Sequence, residues 1–216
     1  IKLNIFQIEK ISELKADETY IGRRNGDLHG FNLEWHNLSI FYSSCFGICT
    51  KNVINLCSTN LSNSIMFYND MTNVITDEKT IFNENTDLKH IKINEYQVKR
   101  ILNLEKGQTF FGRSKGDLHN FNLAELDLSE IDFRGANLSG SVLKDITADK
   151  NTKFDESTNL NGAIIGKKEV EKILNLKEGE SYLGRKRGDL HNFNLINLEQ
   201  SDEYNKNEII NIRGID

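Results

Sequence analysis

The stretch that decides the fold is GDLHNFNLAELDLSEIDFRGANLSGSVLKD, residues 116–145. Leu118, Leu123, Leu128, Phe133, Leu138 and Leu143 fall on a comb with a five-residue period. A helix turns about 100° per residue, so five residues drift by about 140° and build no stripe. A plain strand repeats every two residues. The residues two before each later comb position, Phe121, Leu126, Ile131, Ala136 and Ser141, are apolar or small. Positions i−2 and i on a strand point the same way. Each pentad therefore reads as a very short strand with two inward residues, followed by a bend. The bends are Ala124-Glu125, Ser129-Glu130, Arg134-Gly135 and Ser139-Gly140, and the outward residues are Asn122, Asp127, Asp132 and Asn137. A chain that bends the same way every pentad coils. Four bends close a circuit of about twenty residues, and successive circuits stack in parallel at about 4.8 Å with a filled interior.

The segment FNLAELDLSEIDFRGANLSG resembles the pentapeptide-repeat family and its A(D/N)LXX pattern. The resemblance implies an all-β solenoid, a right-handed quadrilateral β-helix. Short α-helices are expected to intersperse it, for the reason given below.

The comb extends into the first third of the chain. Leu28, Leu33, Leu38, Ser43, Ile48 and Val53 share one frame, and Leu56, Leu61, Met66 and Met71 share another, offset by two. Inward partners there include Phe31, His36, Phe41, Phe46, Ile54 and Thr59. The frame slip near residues 53–56 predicts a bulge or an irregular corner.

A larger repeat lies above the pentads. YIGRRNGDLHGFNL begins at Tyr20, FFGRSKGDLHNFNL at Phe110 and YLGRKRGDLHNFNL at Tyr182. An amphipathic stretch precedes each copy. Ile8, Val98 and Val170 align, then Ile11, Ile101 and Ile173, then Leu14, Leu104 and Leu176. Spacing of three predicts a short helix with one apolar face, and Gly107 and Gly179 read as its stops. Copies one and two close with TIFNENTDLKHIKI (80–93) and TKFDESTNLNGAII (152–165), read as closing loops. The units are thus 1–93, 94–165 and an incomplete 166–216, expected to join in one continuous solenoid. The first helix and the tail EYNKNEIINIRGID are candidate caps. An open coil end presents unpaired backbone, so end-to-end or terminal-helix dimerisation is a candidate mode of association.

Composition sets further bounds. The 216 residues carry a formal net charge of −5, which marks out neither a nucleic-acid surface nor an acidic tail. Direct nucleic-acid binding is not expected. No long apolar run predicts a membrane span. Cys45, Cys49 and Cys57 make an odd, local set, which predicts free thiols and a reducing, cytoplasmic setting without disulfides. There is no proline, where average usage predicts roughly ten. Continuous backbone pairing excludes a residue that lacks N–H.

The sequence holds no nucleophile elbow, phosphate loop or zinc-protease helix, so no catalytic residue, metal ligand or cofactor is assigned. The recurring polar set is Arg23, Asp27 and His29, then Arg113, Asp117 and His119, then Arg185, Asp189 and His191. Such a set suits an anion. Its structural alternative is a turn in which Asp satisfies loop N–H groups, Arg pairs with Asp and His covers the corner. The expected function is a non-enzymatic protein-binding scaffold, regulator or bacterial effector-type adaptor with an unknown protein partner. An alternative, implied by the family resemblance, is a DNA mimic that inhibits gyrase or protects type II topoisomerases from quinolones. A third is an anion or small-molecule binder at the G-R-x-x-G-D-L-H sites.

Overall fold

The computed structural model describes residues 1–34, 38, 54–66 and 70–195, except 13 and 16. The expectations for His36, Phe41, Phe46, Ser43, Ile48, Val53, Cys45, Cys49 and the tail 203–216 lie outside these residues. The chain divides into two compact units, Ile1–Gly116 and Asp117–Asp216, a boundary that falls inside the second copy of the glycine-arginine motif.

In unit 2 the chain pairs in parallel with itself at regular intervals. Asp117 bridges Asn137, Asn122 bridges Val142, and Asp127 bridges Thr147, each a return of four whole pentads. Asp132 then bridges Lys153, Asn137 bridges Asn159 and Val142 bridges Ile164, with slightly longer returns. Asp117, Asn122, Asp127 and Asp132 give four pairing positions, one per pentad, before the chain reaches Asn137, the partner of Asp117. A five-residue side offers only one outward residue, so pairing shows as single bridges rather than long strands. The comb residues Leu118, Leu123, Leu128, Phe133, Leu138 and Leu143 are fully buried.

The bends have a uniform chemistry. The N–H of Leu126 donates to Leu123 O, that of Ile131 to Leu128 O, and that of Ala136 to Phe133 O. The second residue of each bend, Glu125, Glu130, Gly135 or Gly140, has φ between 63° and 73°, as a type II turn requires. The outward side chain before each bend caps it. Asn122 Oδ1 accepts from Ala124 N, Asp127 Oδ1 from Ser129 N, Asp132 Oδ1 from Arg134 N and Asn137 Oδ1 from Ser139 N. Only a short acceptor reaches back to the N–H two residues on, which is why these positions are Asn or Asp.

Unit 1 holds the same kind of pairing with longer returns. Lys2 bridges Asn32, Asp27 bridges Asn55 and Asn32 bridges Asn60, each return exceeding four pentads by more than one further pentad. Strand β1 (Ile54–Asn55) pairs in parallel with β2 (Val74–Ile75). Asn60 then bridges Ile81, Ile65 bridges Asp87 and Asp70 bridges Lys92. Leu28, Leu33, Leu56, Leu61, Met66 and Met71 are buried, as are Thr59 and Ser64 beside them.

The segments read as closing loops stay in the ladder, since Ile81, Asp87, Lys153 and Asn159 all pair. Their extra residues are absorbed by inward threonines. The Thr80 hydroxyl donates to Leu56 O at 3.0 Å, Thr86 to Leu61 O at 3.1 Å, Thr152 to Leu128 O at 3.1 Å and Thr158 to Phe133 O at 2.9 Å. Each hydroxyl also accepts an N–H three residues back, from Asp77, Asn83, Asp149 and Asp155.

Among the described residues, three eight-residue helices are inserted: α1 (Ile5–Ser12), α2 (Glu95–Leu102) and α3 (Lys167–Leu174). Ile8 and Ile11, Val98 and Ile101, and Val170 and Ile173 are buried, which gives each helix one apolar face. Glutamine at the third helical position closes the N-terminus of α1 and α2: Asn4 N donates to Gln7 Oε1 and Asn94 N to Gln97 Oε1, with Asn4 and Asn94 reciprocating. Helix α2 stops at Asn103 and α3 at Asn175, whose side-chain amides donate to Lys99 O and Glu171 O. Gly107 and Gly179, read as stops, sit beyond in turns with φ of 87° and 83°.

We propose that each unit is a stretch of all-β solenoid, a quadrilateral β-helix with α1 and α2 inserted in unit 1 and α3 in unit 2. The parallel returns, the four pairing positions per return and the buried comb support it.

Candidate functional site

Each G-R-x-x-G-D-L-H copy begins with a tight reversal. Tyr20 pairs antiparallel with Arg23, Phe110 with Arg113 and Tyr182 with Arg185. Both residues between them have positive φ: Ile21 and Gly22 at 44° and 74°, Phe111 and Gly112 at 50° and 67°, Leu183 and Gly184 at 50° and 69°. This is the sign pattern of a type I′ turn, which Asn or Gly adopts more readily than Ile, Phe or Leu.

The motif then clasps the helix that precedes it. Gly26 N donates to Ile11 O, Gly116 N to Ile101 O and Gly188 N to Ile173 O, at 3.0, 3.0 and 3.2 Å. These three glycines have φ of 71° to 78°, which a side chain would strain. A helix cation also sits over the aromatic ring that opens each motif: Lys10 over Tyr20 at 4.6 Å, Arg100 over Phe110 at 4.2 Å and Lys172 over Tyr182 at 3.9 Å. The shared ten-residue spacing was available in the sequence as a signal. It was missed because the ring and the cation lie in different elements.

The polar residues turn toward one another. In copy one, His29 Nδ1 lies 2.7 Å from Asp27 Oδ1, and Arg23 Nη1 lies 2.7 Å from His29 Nδ1 and 3.1 Å from its Nε2. Arg23 Nη1 also lies 3.4 Å from Asp27 Oδ2, and its guanidinium stacks over Phe31 at 4.8 Å. Copy three repeats this. His191 Nδ1–H donates to Asp189 Oδ1, Arg185 Nη1 donates to His191 Nε2 at 3.0 Å, and Arg185 stacks over Phe193 at 5.2 Å. In copy two, His119 Nδ1–H donates to Asp117 Oδ1 at 2.6 Å. The carboxylates also anchor the neighbouring coil, with Asn55 Nδ2 donating to Asp27 Oδ1 at 3.4 Å and Asn137 Nδ2 to Asp117 Oδ1 at 3.2 Å.

Partial burial pushes the Asp27 and Asp189 carboxyls up. The hydrogen bonds from His29 and His191, with the charges of His and Arg, outweigh burial and hold both below the ordinary carboxylate value. The arginines are the more enclosed members, with side chains 23% and 15% exposed for Arg23 and Arg185, against 47% and 55% for His29 and His191. Arg23, Asp27 and His29 thus come together, as do Arg185, Asp189 and His191, but as closed clusters. In copies one and three the guanidinium directs Nη1 and one planar face at its own chain, and Nε of Arg185 is buried with no hydrogen-bond partner. Chemically the arrangement joins helix to coil.

Among the described residues no group of three or more His, Cys, Asp or Glu is placed to hold a metal. Cys57 is a free, half-buried thiol. No helix among the described residues is long and apolar enough to cross a membrane. Compared with protein-family models, curated proteins and solved structures, the chain gives no significant match.

Proposed function

We propose that the chain is a non-enzymatic protein-binding module, a scaffold, regulator or bacterial effector-type adaptor. The observation that carries this reading is the placement of isoleucine at outward pairing positions of unit 1. Ile75 and Ile81 are 50% and 51% exposed, and Ile65 is 38% exposed. Single exposed apolar residues are common on soluble proteins. Here the ladder fixes each one outward, where unit 2 places Asp, Asn, Thr or Lys at most of its pairing positions. The three fall in successive ladders, so outward apolar groups stand on neighbouring sides of the coil, and groups held rigidly suit a protein partner, since little side-chain freedom is lost on docking. The closed Arg-Asp-His clusters support the non-enzymatic part, because they present no free base beside a nucleophile.

The test is retention of a partner from the native cell on the immobilised full chain. A protein retained by the parent and lost with Ile75→Asp/Ile81→Asp, at unchanged melting temperature, is the expected result. Undiminished retention removes these residues from the reading. Reproducible turnover of any substrate, lost in His119→Ala, overturns the non-enzymatic assignment. Duplex mimicry has less support. Asp127 and Asp132 spend Oδ1 on corner N–H groups, and Arg134 chelates Asp132. Inhibition of gyrase supercoiling at micromolar protein is the outcome that revives it.

A further inference from the structure

The first copy of the glycine-arginine motif is bare where the other two are covered. Tyr20, Ile21 and Gly22 open its reversal, as Phe110, Phe111 and Gly112 and then Tyr182, Leu183 and Gly184 open the others. Phe111 and Leu183 are fully buried, whereas Ile21 is 49% exposed.

The cover in copies two and three is one residue type in one setting. Phe82, in the segment Thr80-Ile81-Phe82, lies against Gly112, where an added Cβ would stand 2.8 Å from Phe82 Cβ. Its ring meets Phe111 edge-on, with centroids 6.0 Å apart. Phe154, in Thr152-Lys153-Phe154, lies the same way against Gly184, with its Cβ 3.1 Å from the corresponding point. Among the described residues nothing lies within 4 Å of that point at Gly22.

A strand edge is open on the same side. Asn32 N donates to Ile1 O at 2.8 Å, so Lys2 turns its own N–H and C=O to the opposite edge. There they make no hydrogen bond among the described residues. At the corresponding places the edge is paired. Met71 N donates to Lys92 O at 2.8 Å, Leu143 N to Ile164 O at 2.7 Å and Ile164 N to Ser141 O at 2.8 Å. The bare turn and the bare edge thus both face the side on which copies two and three carry earlier residues of the chain.

We infer that this side of unit 1 is a docking site for an extended strand of a partner protein with the pattern T-x-F-x-x-x-T-x-L. Its phenylalanine seats on Ile21 and Gly22. Its backbone pairs with Lys2 eleven residues earlier, the separation of Met71 from Phe82 and of Leu143 from Phe154. Strand addition supplies backbone hydrogen bonds, and the seated ring supplies specificity. A second copy is a poorer occupant, because its own phenylalanines at 82 and 154 are already seated within it. The site is separate from the outward isoleucines and does not depend on them.

The test titrates the full chain with a synthetic peptide of residues 70–90, DMTNVITDEKTIFNENTDLKH, followed by amide chemical shifts. Saturable shifts are expected at Ile1–Leu3 and Tyr20–Gly22. A peptide carrying Phe82→Ala should bind at least about tenfold more weakly. Ile21→Asp in the full chain should weaken the parent peptide by about tenfold or more at unchanged melting temperature. Lys2→Pro removes the N–H at the open edge, where proline is tolerated, and should also weaken binding. Lys2 is exposed, so its variant carries the test should Ile21→Asp fail to fold. No saturable shift up to about 1 mM peptide, equal binding of the alanine peptide, or undiminished binding by Ile21→Asp or Lys2→Pro overturns the inference. Self-association of the chain that Ile21→Asp abolishes, without peptide binding, assigns the surface to a second copy and overturns it too.

Discussion

Unit 1 and unit 2 solve one packing problem with different regularity. In unit 2 the first three returns have one common length, four whole pentads, and every bend between them follows one pattern. In unit 1 the early returns are longer by more than a pentad, yet Asp27 and Asn32 still find parallel partners at Asn55 and Asn60. The ladder asks only that the chain come back beside itself with an outward residue ready to pair. What happens between partners is free to vary, and so is the chemistry at corresponding places. Gln97 of α2 accepts from Asn94 N and donates its amide to Met71 O at 2.8 Å. Glu169 of α3 accepts from Gly166 N at 3.0 Å, and its other oxygen is fully buried with no hydrogen-bond partner. The backbone is shared, while the satisfaction of its polar groups is local.

The strongest way to break this comparison is a charge in the core. Leu128→Asp and its unit 1 counterpart Leu56→Asp put an unpaired carboxylate among buried side chains. Each should cost more than about 4 kcal/mol and abolish the cooperative urea transition. Native-like melting of either variant shows that its comb position is not packed inward. A smaller loss is expected at the threonines. Thr86→Val and Thr158→Val each strip the donor from a carbonyl and the acceptor from an N–H, at a cost of about 1–3 kcal/mol. Equal losses in urea unfolding mean that the six-residue sides do the same work in both units. Unequal losses localise the difference to one of them.

A gain is expected where the units differ most clearly. Glu169→Gln copies the residue of α2 and supplies an amide donor where a carboxylate oxygen stands unpaired. Stability should rise by about 1–2 kcal/mol. An unchanged or lower urea midpoint shows that α3 lacks the carbonyl partner that Gln97 finds. The smallest effect is on acid stability. N–H donation from Ser58 holds the Asp77 carboxyl at about 2, and N–H donation from Glu130 lowers its unit 2 counterpart Asp149. Both lie below the unfolded carboxyl value. Their contribution is present above about pH 4 and is lost as pH falls through the folded value, near 2 for Asp77. Urea midpoints should therefore fall between about pH 4 and pH 2, and less steeply in Asp77→Asn.

The comb was legible because burial repeats with a fixed period: Leu118 to Leu143 are all enclosed. The helices were legible for the same reason, from Ile8, Val98 and Val170 onward. Their ends were not. Glycine is the usual signal, but Asn103 and Asn175 terminate α2 and α3 by bonding back four residues. The threonine segments looked like loops because six-residue sides break the period of five. Beside the backbone ladder, hydroxyl bonds to carbonyls of the previous coil keep them in line, and such bonds leave no periodic trace. The Arg-Asp-His sets stood out as a motif. Their closure did not, since spacing alone cannot say whether Arg185 faces solvent or lies over Phe193.

The direction of the pairing has a mechanical consequence. In unit 2 the bonds from Leu118 N to Asn137 O and from Leu138 N to Asn159 O, both 2.8 Å, link one coil to the next. They therefore run along the stack. A pull along the stack meets them in series, so coils peel away one after another at low force. Each detached coil of about twenty residues lets out roughly 70 Å of chain. A pull across the stack loads all four ladders of an interface in shear at once, and the same bonds then resist together. Such a unit is compliant along one axis and stiff along the others, and the point of attachment decides which of the two a tether feels.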